Sequence, residues 1–152
     1  MYDMSTMLED ASIRHLDRLY EIEKECFEGE AFTKRQIAQL LTDYNSLSLV
    51  ARQNDQIVGF IIGTISTERR SLTGHILTID VSPVHREKGI GSTLLQAVEK
   101  LFREKGATVC HLEAREDNTA ALKLYKMLGY RKVGKLENYY SNAHGICFTK
   151  TL

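Results

Sequence analysis

An α/β fold is predicted for this 152-residue chain: a mixed sheet with one parallel strand pair at its centre and helices on both faces. Three observations predict it. Strand-like and helix-like stretches alternate through the middle of the chain. An apolar strand pattern, His75 to Val81, is stopped by Ser82-Pro83 and joined to a second, Thr108 to Ala114, by a strongly amphipathic helical stretch. Strand–helix–strand units of this kind are parallel, with a right-handed crossover. Turn residues between short apolar runs on either side of the unit predict antiparallel hairpins, which makes the sheet mixed.

Each element follows from local pattern. A short strand is expected near Ser5 to Glu9. Ser12 to Cys26 reads as a helix, with Ser12 as N-cap and Ile13, Leu16, Leu19 and Tyr20 on a common side. A second helix follows Thr33 and carries Ile37, Leu40 and Leu41. Ser48 to Arg52 and Ile57 to Ile65 are β-branched and apolar, with Asn54-Asp55 as a hairpin turn between them. The helix Gly91 to Lys105 places Leu94, Leu95, Val98, Leu101 and Phe102 on one face and ends at Gly106. Asn118 caps a helix that runs to Gly129. Tyr130 to Leu136 and Ile146 to Thr151 are the last two strands.

A single proline, the absence of repeats and the absence of low-complexity runs leave no domain boundary, so residues 1–152 read as one domain. Apolar residues make up 43% and charged residues 26%, an ordinary globular balance. Lysine plus arginine, 20, equals aspartate plus glutamate, 20, which gives no overall electrostatic case for nucleic acid or an anionic membrane. No apolar run approaches a membrane span, and Met1 to Ser5 lack a signal-peptide layout. The three cysteines, Cys26, Cys110 and Cys147, are odd in number and lack metal-ligand spacing. No metal site is legible, and a reducing cytoplasm is the expected setting.

The chemistry begins between the central strand and its helix, at Arg86-Glu87-Lys88-Gly89-Ile90-Gly91-Ser92. Two glycines one residue apart allow a tight turn and close backbone approach. The helix starts there, so its unpaired N–H groups and positive dipole end point into the loop. That makes an anion site of backbone, suited to a pyrophosphate, with Ser92 adding a hydroxyl and Arg86 and Lys88 adding charge. By itself the glycine pair also fits a simple helix-start turn. Neither a Walker loop nor a dinucleotide fingerprint is present.

Val81-x-Pro83 followed by Arg86-x-x-Gly89-x-Gly91 resembles the signature loop of the GNAT superfamily of N-acetyltransferases. Asn118-Thr119-Ala120-Ala121-Leu122-Lys123-Leu124-Tyr125 with Leu128-Gly129-Tyr130 is similar to that family's second coenzyme A motif. The resemblance implies a GNAT fold whose central parallel strands splay, acetyl-CoA as cosubstrate, and no metal. It implies that the loop from Arg86 through Glu87, Lys88, Gly89, Ile90 and Gly91 to Ser92 grips the pyrophosphate. Ile79, Asp80 and Val81 would line the pantetheine slot with their backbone, and Asn118 and Tyr125 would also contact the cofactor.

Within the superfamily the chain looks most like the RimI-like branch and its archaeal relatives, which acetylate protein N-termini. That likeness implies Glu113, five residues before Asn118, as general base, and Tyr125, seven after it, as proton donor to the departing thiolate. Glu113 also fits a strand-end carboxylate paired with Arg115, and Tyr125 a core aromatic. His111 shares Glu113's strand face and reads as a satisfied histidine or a relay. Asn138-Tyr139-Tyr140, expected between the last two strands, looks like the tyrosine pair that covers an acceptor peptide. Phe27-Glu28-Gly29-Glu30-Ala31-Phe32 would form the opposite wall, with Glu28 or Glu30 drawing the cationic amine and Phe27 or Phe32 lining the first side-chain pocket. Ala31 stands where the branch has proline, and Gly145-Ile146-Cys147 where it has an acidic residue and alanine.

An α-amine near pKa 8 is roughly one-tenth neutral at pH 7, against well under ~0.1% for lysine. A lone glutamate base therefore suits an α-amine. The expected acceptor is a protein or peptide N-terminus, with lysine or a small amine as the alternative. A ribosome or auxiliary subunit is an expected partner of such an enzyme, which is read as a monomer or homodimer.

Overall fold

The computed structural model describes residues 6–152. Ser5, where the first strand was expected to open, and the Met1 to Ser5 segment lie outside the described residues. Seven strands form one sheet: β1 (Met7–Asp10), β2 (Ser46–Gln53), β3 (Gln56–Glu68), β4 (Ser71–Val81), β5 (Val109–Arg115), β6 (Arg131–Tyr140) and β7 (Ala143–Thr151). Their order is β1-β2-β3-β4-β5-β7-β6. Among the described residues only β4 and β5 run parallel; every other neighbouring pair is antiparallel. The mixed sheet with a central parallel pair is as expected.

Four helices cover the sheet: α1 (Leu16–Cys26), α2 (Lys34–Thr42), α3 (Ile90–Glu104) and α4 (Thr119–Met127). Helices α1 and α2 pack with Val50, Phe60 and Ile62 in one buried cluster. Helices α3 and α4 pack with Ile61, Ile76, Leu112 and Phe148 in the other. The apolar face of α3 expected from its periodicity is buried, with Leu94, Leu95, Val98 and Phe102 fully enclosed. Each such side chain contributes about 1.5–3 kcal/mol relative to exposure. No helix among the described residues is long and apolar enough to cross a membrane.

Local chemistry explains most boundaries. Thr33 Oγ1 accepts from the Gln36 N–H at 3.1 Å while Gln36 Oε1 accepts from the Thr33 N–H at 2.8 Å, a reciprocal cap that starts α2. Asn54 and Asp55 both take positive φ, as a two-residue hairpin turn requires. The first helix differs from expectation: Ser12 opens a 3₁₀ turn, Ile13–His15, and α1 proper starts at Leu16. Strand β4 starts earlier than expected, after a turn at Arg69-Arg70 with φ of 48° and 71°.

Two irregularities shape the centre and one edge. In the β3–β4 ladder Ile62 pairs with Thr78 and Gly63 with Ile76, so Leu77 is an extra residue in β4. A bulge of this kind bends its strand and tightens its twist. The β4–β5 ladder stops just there, at Ile76↔Leu112. Strand β4 continues paired to β3 as far as Val81, and β5 to β7 as far as Arg115. Residues 77–81 and 113–115 are therefore parted, which is the splay the resemblance implied. On β6, register breaks after Leu136, and Asn138 takes φ 53°. The strand nevertheless runs on to Tyr140, so Asn138-Tyr139-Tyr140 stand at a strand end rather than in the connecting turn, a correction to the sequence reading.

Candidate active site

The mouth of the splay is flanked by the start of α3. Gly89 is its N-cap, at φ 79°, and no side chain caps the helix there. Glu87 also takes a positive φ, 64°. The turn thus presents the N–H groups of Ile90, Gly91 and Ser92 without a capping carboxylate or hydroxyl, at the positive end of a 15-residue helix. This fits a diphosphate. Lys88 is exposed beside it, and Ile90 is buried in the α3 core.

Arg86 is engaged elsewhere. Its Nε donates to the Val81 carbonyl at 3.1 Å and its Nη2 to Cys26 Sγ at 3.3 Å. Cys26 Sγ donates to the same carbonyl at 3.4 Å. The Val81 carbonyl, expected to serve pantetheine, therefore already has two donors, and the pyrophosphate charge expected from Arg86 is turned back onto β4. Asp80 is 1% exposed and Glu23 on α1 is 2% exposed. Thr78 Oγ1 lies 2.5 Å from Asp80 Oδ1 and 3.2 Å from Glu23 Oε1. Both contacts have the Thr78 hydroxyl as donor, and its one proton serves only one carboxyl at a time. Burial first, then Glu23, pushes the Asp80 carboxyl well above its usual range. Asp80 thus faces α1, and along the slot it offers only backbone. Ile79 points the other way, into the α3 cluster.

Glu113 and Tyr125 take up opposite faces of the sheet. Glu113 Oε1 sits 2.8 Å from His75 Nε2, and Oε2 sits 3.2 Å from it. The parallel register sets His75 beside His111, two residues from Glu113 on the same face. The expected alternative partner of Glu113, Arg115, binds Asp117 and Glu30 instead. His75 was not singled out in the sequence; nothing in its local pattern links it to a residue 38 positions later.

Tyr125 packs edge-on against Tyr130 and Phe148, with centroids 6.0 and 5.8 Å away. It is 5% exposed, and its hydroxyl has no hydrogen-bond partner among the described residues. Burial pushes the phenol above its ordinary 10.0, and the charges of Tyr140 and Asp80 add to this. The Asn118 side chain is spent locally: Oδ1 accepts from the Ala121 N–H at 3.1 Å and caps α4.

On the Glu113 face, Tyr139 and Tyr140 meet edge-to-face with centroids 5.0 Å apart. Tyr139 remains 54% exposed. Its ring lies across Gly145, where an added Cβ would stand 3.0 Å from Tyr139 Cδ2. Burial raises the Tyr140 phenol to about 12, with Tyr139, Glu113 and Glu30 adding and Arg115 opposing. The opposite wall is the turn after α1. Phe27 is half-buried and belongs to neither core cluster, while Phe32 packs against the α1–α2 cluster. Glu28 is exposed. Glu30 is not a free carboxylate: it accepts from the Ser141 N–H at 2.9 Å, from Ser141 Oγ at 2.7 Å and from Arg115 Nη1 at 3.0 Å. Burial alone would raise it, but these bonds outweigh burial and hold it below the usual range. The expected amine-drawing role of Glu30 therefore has no open oxygen pair behind it.

A central splay, a bare helix N-terminus at its mouth and a carboxylate–histidine pair beside it define an acyl-transfer site of the coenzyme A type. Residues 16–130 match the acetyltransferase (GNAT) family, and the chain belongs to that family. It is 34% identical over 111 residues to the N-alpha-acetyltransferase of Sulfurisphaera tokodaii, covering 67% of this chain and 66% of that protein. It is 30% identical over 115 residues to N-alpha-acetyltransferase 30 of Schizosaccharomyces pombe, covering 75% and 77%. The crystal structure of Ard1 from Thermoplasma volcanium superposes with a TM-score of 0.88 at 27% identity, covering 97% of each chain.

Proposed function

We propose that this chain transfers the acetyl group of acetyl-CoA to the free α-amine at a polypeptide N-terminus. The observation that carries the reading is the Glu113–His75 pair, set at the parting of β4 and β5 and overhung by Tyr139 and Tyr140. The N-alpha-acetyltransferases among its relatives support the same acceptor. We take residues 1–152 as one catalytic domain, because a single sheet runs from Met7–Asp10 to Ala143–Thr151. Three free cysteines suit a reducing cytoplasm.

In this reading the thioester lies in the gap, with its diphosphate on the Ile90–Ser92 backbone and its pantetheine along residues 79–81. The amine enters from the Glu113 face, and its nitrogen attacks the thioester carbonyl carbon. Glu113, positioned by His75, takes the amine proton. The C–S bond then breaks and its electron pair goes to sulfur. Tyr125 meets that sulfur from the opposite face of the sheet. Since Tyr125 is pushed above its ordinary value, full proton transfer to a thiolate is uphill. Tyr125 acts as a hydrogen-bond donor to the developing charge, and the thiolate gains its proton from solvent.

The test is thiol release with acetyl-CoA and short peptides carrying an internal lysine, some with free and some with blocked α-amines. Reaction confined to the free α-amine supports the reading. Equal reaction of blocked peptides assigns the acceptor as lysine, and reaction only with small amines or with none overturns the peptide acceptor.

A further inference from the structure

We infer that Tyr130, Glu99 and Lys150 form a buried polar clamp that positions Tyr125 for the reaction. This rests on the reading above of Tyr125 as donor to the departing sulfur and adds the residues that hold it in place.

No polar contact holds the Tyr125 hydroxyl among the described residues, so its ring is placed by packing alone, edge-on against Tyr130 and Phe148. Tyr130 is anchored differently. Its N–H donates to the Tyr125 carbonyl at 2.9 Å, and its hydroxyl donates to Glu99 Oε2 at 2.7 Å. Cys110 Sγ lies 3.2 Å from the same hydroxyl. The other Glu99 oxygen accepts from Lys150 Nζ at 2.9 Å, and that ammonium stands 5.5 Å from the centroid of the Tyr130 ring. The β5–β7 register sets Cys110 directly beside Lys150. Helix α3 and two neighbouring strands thus converge on one phenol, through bonds strengthened by full charges.

Packing alone does not call for this arrangement. Glu99 is 2% exposed, among the buried residues of α3 that include Leu95, Val98 and Phe102. Desolvating a carboxylate is offset only by partners in good geometry, and apolar residues of equal volume often serve stability as well. A phenylalanine at position 130 would fill the same space but lack a fixed point. With its hydroxyl held, the Tyr130 ring has little freedom to slide, and the Tyr125 ring that leans on it at 6.0 Å shares that constraint. A donor to a developing thiolate needs such placement, since a misplacement of about 1 Å can lower a rate by roughly 10²-fold. Tyr130, Glu99 and Lys150 are therefore positioning residues, which act through Tyr125 rather than on the thioester.

Kinetics with acetyl-CoA and a free-amine peptide test this on the wild type, Tyr130→Phe, Glu99→Gln, Tyr125→Phe and the double variant Tyr125→Phe with Tyr130→Phe, each assayed well below its melting temperature. Tyr130→Phe keeps the ring and its edge contact and removes the hydroxyl. It is expected to lower kcat by roughly fivefold to tenfold with both KM values unchanged. Glu99→Gln, whose amide oxygen still accepts from Tyr130, should lose less. In the Tyr125→Phe background the change at Tyr130 should cost nothing further, because the hydroxyl it positions is gone. Loss by the same factor in both backgrounds would reduce the clamp to a structural feature and overturn it, as would an unchanged kcat in Tyr130→Phe; either result leaves the reading of Tyr125 standing. Wild-type turnover by Tyr125→Phe would instead remove Tyr125 from the reaction, overturning that reading and the clamp with it.

Discussion

His75 and Glu113, 38 residues apart in the chain, meet at 2.8 Å across the last rungs of the β4–β5 ladder. The His75 Nε2 atom lies within reach of both carboxylate oxygens, so it fixes the carboxylate's orientation. Glu113→Gln should lower kcat/KM by roughly 10²–10³, within the range expected for loss of a general base. His75→Gln should cost less, roughly tenfold, and the double variant should be no worse than Glu113→Gln alone. Additive losses in peptide acetylation assays would mean that the two act separately.

Tyr125→Phe keeps the packing against Tyr130 and Phe148 and removes only the hydroxyl. The expected result is a kcat lower by roughly 10–100-fold with little change in the acetyl-CoA KM, since a donor to the leaving sulfur acts in the transition state. The pH dependence has a definite sign. The folded phenol titrates above its ordinary 10.0, so it remains protonated throughout the neutral range. The wild-type kcat should therefore show no alkaline loss from Tyr125 below about pH 10. An alkaline limb near pH 8 that vanishes in Tyr125→Phe would contradict this.

The elements legible in the sequence are those with local causes. The amphipathic period of α3, the Asn54-Asp55 turn, the helix start after Thr33 and the Asn118 cap are each set by residues within a few positions. The glycine turn at the start of α3 was legible for the same reason. What escaped depends on distant register. The bulge at Leu77 that parts the strands shows only in the pairing of β3 with β4. The His75–Glu113 contact needs the parallel ladder, and the Glu30–Ser141 contact joins residues 111 positions apart. Arg86, Arg115 and Glu30 were legible as charges but not as partners, because a side chain's partner is chosen by the fold.

Two thiols, half-buried Cys26 and buried Cys110, predict a loss of stability in alkali. Burial first, then the charge of Asp80, raises Cys26 from 9.0 to about 11, and burial raises Cys110 to about 12. A folded-state pKa above the unfolded one means that the folded chain holds the proton more tightly. Its stabilising contribution is complete below about pH 9 and is lost as pH climbs through the folded value. Melting temperature should accordingly fall between pH 9 and about 11, and Cys110→Ala should flatten part of that slope. At neutral pH iodoacetamide should spare Cys110, which is fully buried, in the folded chain. Rapid alkylation of Cys110 without unfolding would be inconsistent with this packing.

Gly145 lies under the Tyr139 ring, and an added Cβ would approach Cδ2 at 3.0 Å, Cβ at 3.2 Å and Cγ at 3.3 Å. Two of these atoms are at the root of the side chain, so a rotation of the ring alone does not relieve the contact. Gly145→Ala should therefore push the whole Tyr139 side chain away from β7, at a cost of about 1–3 kcal/mol in stability. If Tyr139 covers the acceptor, the peptide KM should rise by roughly tenfold, while the KM for acetyl-CoA stays constant. Tyr139→Ala should produce a similar rise, and combining the two should add little, because the first change already removes what the second disturbs. Steady-state kinetics on the four proteins decide the matter: an additive double variant would assign Gly145 a role independent of Tyr139, such as holding the β5–β7 ladder beside Arg115.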